Sequence, residues 1–175
     1  KVFKKSSMKK VIIFLGNFSF GGAEVVGVNL ANSFIDKGME VTVLCLQKQG
    51  DLLKRLSDKV NVVSLDRRLA FSFLKLRNFI LSLDERVLII STIRNLNIAL
   101  SVATLWSNPR CEFIYREANT YRNFLNSFKG TLIWLFYALV NNWAYHKAKV
   151  VIANSNDTKT DLKKLCTVSC LRSIH

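Results

Sequence analysis

Residues 9–30 restrict the fold of this chain more than any other stretch, because a strand, a glycine turn and a helix follow one another directly. Residues 11–15 (VIIFL) form a short apolar run, rich in β-branched side chains and followed by glycine, which predicts a buried strand. The turn over residues 16–22 holds three glycines, and a helix is expected to begin at Ala23 or Glu24. Glycines allow a ligand close to the backbone, and helix N-termini attract anions. The turn therefore suggests a phosphate or nucleotide-sugar site; glycines that serve backbone geometry alone are the alternative.

Two well-known phosphate-binding loops do not match this turn. Gly16 and Gly21 have the glycine spacing of a P-loop, but Gly22 and Ala23 stand where its lysine and hydroxyl belong, which argues against ATP or GTP hydrolysis. A dinucleotide-binding fold needs a carboxylate near the end of the second strand, and residues 43–47 (VLCLQ) contain none. The sequence therefore disfavours NAD, and we predict no cofactor.

The rest of the chain alternates between strand-like and helix-like segments. Further strands are predicted at residues 40–46, 60–65, 87–91, 111–115 and 150–153, and helices at 24–37, 51–56, 71–83, 96–106, 131–147 and from residue 158. Gly38 is expected to end the first helix, and Lys75 and Arg77 are expected on the outward side of helix 71–83. This alternation predicts an α/β fold: a single Rossmann-like, doubly wound parallel sheet of about six strands, with helices on both faces and the first strand between the second and fourth.

Length and periodicity predict one domain. The 175 residues divide into an upstream extension at residues 1–7, a domain at residues 8–165, and an unrelated or disordered tail at residues 166–175, where periodicity stops. The apolar run at residues 11–15 is too short for a signal peptide, so a cytoplasmic protein is expected.

Charge indicates which classes of partner the chain can bind, and cysteine content indicates whether it needs disulfides or a metal. A formal net charge of +14 predicts an anionic partner, such as lipid headgroups, phosphorylated ligands or nucleic acid. No recognised motif accompanies that charge, so no specific nucleic-acid partner is predicted. No CxxC motif occurs, which favours reduced thiols over a disulfide scaffold, and two histidines give a metal site little support. The four cysteines are Cys45, Cys111, Cys166 and Cys170.

The segment at residues 131–147 is the most apolar of the chain. Its uninterrupted apolar run, residues 132–140, is shorter than the roughly 20 residues that a bilayer span needs. Packing on the sheet is the first interpretation. The alternative is a peripheral role at an anionic membrane surface, because Trp134, Tyr137, Trp143 and Tyr145 lie near several basic residues.

The predicted strand order 3-2-1-4-5-6 brings three loops to one edge of the sheet, where doubly wound folds bind ligands. These loops are residues 17–22, 92–95 and 116–120. Amides and carboxylates bind sugar hydroxyls and arginine pairs with phosphate, so the loops suit a sugar or a phosphorylated acceptor. For each arginine alone, a solvated charge or a structural ion pair is the alternative. The candidates are Asn17, Gly21, Gly22, Arg94, Arg116, Glu117 and Asn119.

Three segments also resemble one known family. Residues 21–46 (GGAEVVGVNLANSFIDKGMEVTVLCL) resemble the opening of the GT-B glycosyltransferases of family four, with a Gly-Gly loop, a helix with an N-L-A run, and K-G-x-E-V before the second strand. Residues 114–120 (IYREANT) resemble the fifth-strand loop of that family, and residues 150–164 (VVIANSNDTKTDLKK) resemble the end of its N-terminal domain. The segments follow in the family's order and span nearly the whole chain.

The resemblance implies a retaining hexosyltransferase that moves a sugar from a nucleotide sugar to a glycan or lipid-linked acceptor in lipopolysaccharide or capsule synthesis. It implies that Asn17, Gly21 and Gly22 lie against the donor phosphates or the acceptor, and that the fifth-strand loop faces the acceptor. Family members often carry a histidine in that loop. Here Arg116 and Ala118 stand there, so no catalytic base is assigned.

The resemblance also places the donor mainly on a second domain, whose basic residues and paired glutamates have no match in this sequence. The chain is therefore expected to end before that domain and to be inactive alone. The alternative is a non-enzymatic, acceptor-binding subunit that completes its site with a separate donor-binding chain.

Overall fold

The apolar run near the start of the chain forms the central strand of a parallel sheet. The computed structural model of the protein describes residues 10–66, 68–105, 110–118, 132–165 and 171–173. Within these residues the sheet has seven strands, all parallel, in the order β3-β2-β1-β4-β5-β6-β7. The strands are β1 (Lys10–Leu15), β2 (Glu40–Cys45), β3 (Asn61–Ser64), β4 (Val87–Ser91), β5 (Cys111–Glu117), β6 (Val150–Ala153) and β7 (Leu171–Ser173). β1 pairs with β2 and β4, as predicted.

Helices cover both faces of this sheet. In the described part of the chain they are α1 (Gly22–Asp36), α2 (Phe73–Leu81), α3 (Arg94–Ala103), α4 (Leu132–His146) and α5 (Asn156–Leu165), with short 3₁₀ helices at Asp51–Arg55 and Leu69–Phe71. Successive side chains of a strand point to opposite faces, so β1 contributes to two cores. Ile12 and Phe14 enter the core that α2, α3, α4 and α5 cover, whereas Val11, Ile13 and Leu15 enter the core beneath α1. The predicted doubly wound α/β fold is confirmed.

The first helix ends at a glycine, as its sequence predicted. Gly38 has φ +75°, its N–H donates to the Ile35 carbonyl at 2.9 Å, and the Met39 N–H donates to the Phe34 carbonyl at 3.0 Å. This pair of bonds is the Schellman arrangement, in which a left-handed residue lets the chain leave the helix while satisfying its last carbonyls. The turn leads directly into β2.

The segment around α2 differs from the sequence-based prediction. Phe71, Phe73 and Leu74 are exposed, whereas Arg77 turns inward and donates from Nη1 to the carbonyls of Ala103 and Leu105 at 2.8 and 3.1 Å. Leu76 and Ile80 provide the buried stripe of α2 instead. The physical reason is that the unpaired carbonyls at the end of α3 accept the guanidinium, since a cation is favourable at a helix C-terminus.

The end of the chain also differs. Where an unrelated or disordered tail was expected over residues 166–175, residues 171–173 form β7, which pairs with β6 in parallel. Three residues are too few to show a strand periodicity in the sequence. The other residues of that segment lie outside the described part of the chain.

Near its end, the α4 helix turns Trp143 and Tyr145 toward the protein, whereas His146 is exposed. Tyr145 is fully buried, and Lys147, just past the helix, donates from Nζ to the Thr104 carbonyl at 2.9 Å, with Nζ 5.3 Å from the ring centre of Trp143. Burial lowers the pKa of the Lys147 ammonium. These contacts agree with packing on the sheet. Among the described residues, no helix combines the length and the apolar character needed to cross a bilayer.

Replacing Gly50 by Ala should destabilise the fold far more than replacing Gly38 by Ala. Gly50 has φ +121°, and an added Cβ would lie 2.2 Å from the carbonyl carbon of Phe18, a backbone atom that cannot rotate away. At Gly38, an added Cβ would meet nothing within 4 Å, so only the left-handed strain of about 1–2 kcal/mol is expected. Urea unfolding of both variants measures the difference. Equal losses of unfolding free energy would show that the contact with Phe18 relaxes freely.

Candidate functional site

One cavity lies at the edge of the sheet where the parallel strands end. Its volume is about 340 Å³, within the range of small-molecule sites. The start of α1 forms one wall, the loop after β4 contributes a second, and the ends of β5 and β6 form a third. The lining residues are Gly22, Ala23, Glu24, Ile93, Arg116, Ala118 and Asn154. Parts of the three loops predicted to converge, those after β1, β4 and β5, therefore meet around one cavity.

The N-terminus of α1 opens into this cavity without a cap. The helix is 15 residues long, and its N-cap residue, Gly21, provides no side-chain hydrogen bond. The first bond of the helix runs from the Val25 N–H to the Gly21 carbonyl at 2.9 Å, so the preceding N–H groups of the first turn remain available. An added Cβ at Gly22 would meet nothing within 4 Å, which leaves the helix start open to a ligand. Such a terminus attracts an anion.

Arg116 forms part of the opposite wall and is a buried cation. The residue is 8% exposed, and its Nη1 has no hydrogen-bond partner among the described residues. Burial lowers the pKa of the guanidinium and neighbouring Glu117 raises it, but an arginine stays protonated in either case. A buried charge without a full set of partners is costly, and an anion in the cavity would supply the missing acceptor.

The loop before α1 is held in place by its own contacts. Asn17 Oδ1 accepts the Ser19 N–H at 2.9 Å, so the amide of Asn17 builds the turn. The Phe18 N–H donates to the Gln49 carbonyl at 2.8 Å, and the Leu52 N–H donates to the Phe18 carbonyl at 2.9 Å. An added Cβ at Gly21 would lie 2.2 Å from Glu24 Oε2, so the carboxylate of Glu24 lies close over Gly21. Asn17 and Gly21 thus shape the loop and are not among the lining residues.

Arg94 and Glu117 form an ion pair behind the cavity wall. Arg94 Nε lies 3.5 Å from Glu117 Oε2, and the two side chains are 14% and 1% exposed. The Tyr145 hydroxyl donates to the same carboxylate oxygen. A carboxylate this deeply buried and already hydrogen-bonded does not reach a ligand, so the geometry does not support the predicted acceptor contact of Glu117. Its position suits a structural role.

A further buried contact fixes the end of β5. Asn97 Nδ2 donates to the Arg116 carbonyl at 3.2 Å and to the Tyr145 hydroxyl at 3.3 Å, while its Oδ1 accepts the Ser91 hydroxyl. Asn97 is fully buried and therefore ties β4, β5 and α4 together through α3. The backbone of Arg116 is held from beneath, which leaves its side chain as the part of this residue that a ligand can meet.

The structure thus brings two predicted site residues, Gly22 and Arg116, into the cavity, and Asn119 lies outside the described residues. The sequence interpretation missed Glu24 and Asn154. Both carried a usable signal, since Glu24 stands in the first turn of the helix and Asn154 directly follows a strand. Among the described residues, no group of three or more His, Cys, Asp or Glu side chains is placed to hold a metal ion. The lining can bind an anion through Arg116 and the helix, and hydroxyls through Glu24 and Asn154.

Comparisons with known proteins give a family and a fold. A family model described as Glycosyltransferase Family 4 matches residues 20–174. A search of curated proteins finds no significant match. One similar solved structure is an alpha-glucosyltransferase in complex with UDP and a 13-mer DNA containing a HMU base, with TM-score 0.57 and 15% identity. Another, an alpha-glucosyltransferase in complex with UDP-glucose and DNA containing an abasic site, has TM-score 0.57 and 15% identity. Each alignment covers 95% of this chain and 42% of the solved chain, so this chain spans under half of those structures.

Proposed function

Because the chain belongs to glycosyltransferase family 4, we propose that it forms the acceptor-side domain of an enzyme that transfers a sugar from a nucleotide sugar. The proposed acceptor is a glycan or lipid-linked saccharide in cell-surface polysaccharide synthesis, at the inner face of the plasma membrane. The DNA bound by the alpha-glucosyltransferases belongs to those proteins, and a likeness at 15% identity concerns the fold alone. We therefore do not propose DNA as the acceptor.

The observation that carries this proposal is the pairing of an uncapped helix N-terminus with a buried cation across one cavity. Gly22 leaves the helix start open, and Arg116 has a buried Nη1 without a partner among the described residues. Two positive groups facing one space suit a phosphate, either of the donor or of a phosphorylated acceptor, and the Glu24 carboxylate is the negative group on the same lining. Glu24 and Asn154, on the same lining, suit the hydroxyls of the attached sugar.

In this proposal the domain binds and orients, and a second domain stabilises the leaving diphosphate. Orienting two reactants can lower a barrier by about 7–11 kcal/mol. A single donor to a developing negative charge contributes about 3–4 kcal/mol. The groups of this domain supply orientation and part of the phosphate contacts. We therefore propose that residues 1–175 alone do not turn over a nucleotide sugar.

The experiment joins this domain to a donor-binding domain of the same family, in one chain or as a second chain, and measures release of nucleoside diphosphate and sugar transfer. We expect no turnover from residues 1–175 alone and transfer from the combined protein. Robust turnover by residues 1–175 alone would overturn the division of roles. Turnover only with a separate second chain would favour the alternative, an acceptor-binding subunit.

The phosphate contact is tested separately with inorganic pyrophosphate, followed through the amide signals of the α1 N-terminus by NMR. Arg116→Leu should weaken binding at least about 10-fold, because it removes the buried cation. Arg110→Leu is the control, since Arg110 lies just before β5 at the opposite edge of the sheet and donates to the Asp84 carbonyl. Equal weakening by the two variants would assign the binding to overall charge.

A further inference from the structure

Three large apolar side chains stand exposed within four consecutive residues. Phe71 is 74% exposed, Phe73 38% and Leu74 68%, and we call these three residues the 71–74 patch. Keeping such side chains in water forgoes the favourable free energy that their burial would give. Isolated exposed apolar residues are ordinary, but a contiguous group points to an interaction surface.

The backbone holds the patch outward. Ser72, between Phe71 and Phe73, is fully buried; its hydroxyl donates to the Leu69 carbonyl at 2.8 Å, and its carbonyl accepts the Leu76 N–H at 2.8 Å. This residue joins the 3₁₀ helix to α2 and faces the protein, so its two neighbours face away from it. Leu76 and Ile80 anchor α2 in the core. The patch is therefore presented by a fixed turn.

The charges around the patch are positive. Arg68 and Lys75 are exposed residues on its two sides, with Lys75 Nζ donating to the Leu65 carbonyl at 3.1 Å, and residues 68–81 include no acidic residue. The nearest acidic side chain before the patch in sequence, Asp66, accepts the Ser64 hydroxyl at 2.6 Å. After it, the first acidic residue is Asp84, beyond the end of α2. Apolar side chains flanked by exposed cations are the combination that anionic lipid surfaces bind.

The patch also lies at the sheet edge that holds the cavity. The 3₁₀ helix follows the carboxyl end of β3, and the cavity is built where β4, β5 and β6 end. In a parallel sheet these ends share one edge. A membrane bound to the patch would therefore lie beside the edge at which a lipid-linked acceptor enters.

We propose that the 71–74 patch inserts into the headgroup region of an anionic phospholipid bilayer, with Arg68 against its phosphates and Lys75 adding positive charge beside it. This assignment differs from the sequence-based one, which placed membrane contact on the segment of α4. It does not depend on sugar transfer, because the net charge of +14 and the exposed apolar side chains suffice for binding.

The test is sedimentation of the protein with vesicles of phosphatidylcholine alone or with 30 mol% phosphatidylglycerol. We expect binding to the anionic vesicles that weakens as salt is raised through the range where the screening length falls to about 8–10 Å. The triple variant Phe71→Ser, Phe73→Ser, Leu74→Ser should bind at least about 10-fold more weakly. The single variant Phe71→Ser should bind about 3-fold more weakly, and because Phe71 is a surface residue this change keeps the fold.

The matched control is Leu132→Ser with Leu139→Ser, which removes the two exposed leucines of α4, at 85% and 58% exposure. It should bind within about 2-fold of the unchanged protein. Loss of binding in this control, with normal binding by both patch variants, would overturn the proposal and move the contact to α4. Absence of binding at low salt would overturn it as well. The proposal would also be overturned if the patch variants bound anionic vesicles as tightly as the unchanged protein and all of them bound double-stranded DNA equally well. Charge alone would then explain the binding.

Discussion

Replacing Gly22 by Trp should abolish sugar transfer by the combined two-domain enzyme and pyrophosphate binding by this chain, while the domain stays folded. Gly22 is the first residue of α1, and an added Cβ would meet nothing within 4 Å, so a side chain can begin there without displacing the backbone. The indole would then occupy the cavity between the helix start and Arg116. A cavity of about 340 Å³ leaves little room for a phosphorylated sugar beside an indole.

The control for this variant is Asn29→Trp, which adds the same side chain at an exposed position of the same helix. Both variants should unfold within about 1 kcal/mol of the unchanged chain, as surface substitutions do. We expect transfer to fall by at least about 100-fold only for Gly22→Trp, measured as kcat/KM for the acceptor. Normal transfer by Gly22→Trp would remove this cavity from the reaction.

Replacing Glu117 by Ala should cost about 3–5 kcal/mol of unfolding free energy, because it removes a buried carboxylate that pairs with the largely buried Arg94 guanidinium and accepts the Tyr145 hydroxyl. Glu117 is 1% exposed, pairs with Arg94 at 3.5 Å and accepts the Tyr145 hydroxyl. Removing one partner of a buried pair is much more costly than the pair itself is worth, since the remaining charge keeps its desolvation penalty.

Glu112→Ala is the matched control, because Glu112 lies on the same strand and its pair with Lys149 is exposed, at 31% and 58%. A pair of this kind is worth less than about 1 kcal/mol. Urea unfolding of the two variants should therefore separate them by more than about 2 kcal/mol. Equal costs would mean that water reaches Glu117 and that its burial does not set its contribution.

Local sequence patterns were sufficient to predict the fold. The run VIIFL is apolar at every position, rich in β-branched residues and followed by glycine, as expected of a strand buried on both faces, and it forms the central strand. Gly38 ended α1 because a left-handed residue is needed there. The location of the candidate site was predictable, because the order of the parallel strands alone brings the ends of β1, β4 and β5 to one edge of the sheet.

What the sequence did not predict are contacts between segments distant in sequence. Tyr145 reaches Glu117 across 28 positions, and Arg77 reaches Ala103 across 26. Periodicity reports which face of a helix is apolar, but it does not report which unpaired carbonyl or carboxylate a neighbouring element presents. For that reason Arg77 was expected outside, and Glu117 was expected at a ligand.

The buried hydrogen bonds around Asn97 make several positions of this domain interdependent. Asn97 bonds to Ser91, to the Arg116 carbonyl and to the Tyr145 hydroxyl, and Tyr145 in turn bonds to Glu117. A change at one of these positions leaves a buried polar atom unsatisfied at another, whereas replacing two partners together can be nearly neutral. Natural variation should therefore change these residues in coordinated pairs. Because only the backbone carbonyl of Arg116 takes part in these bonds, its side chain can be replaced with less disturbance than Asn97, Tyr145 or Glu117.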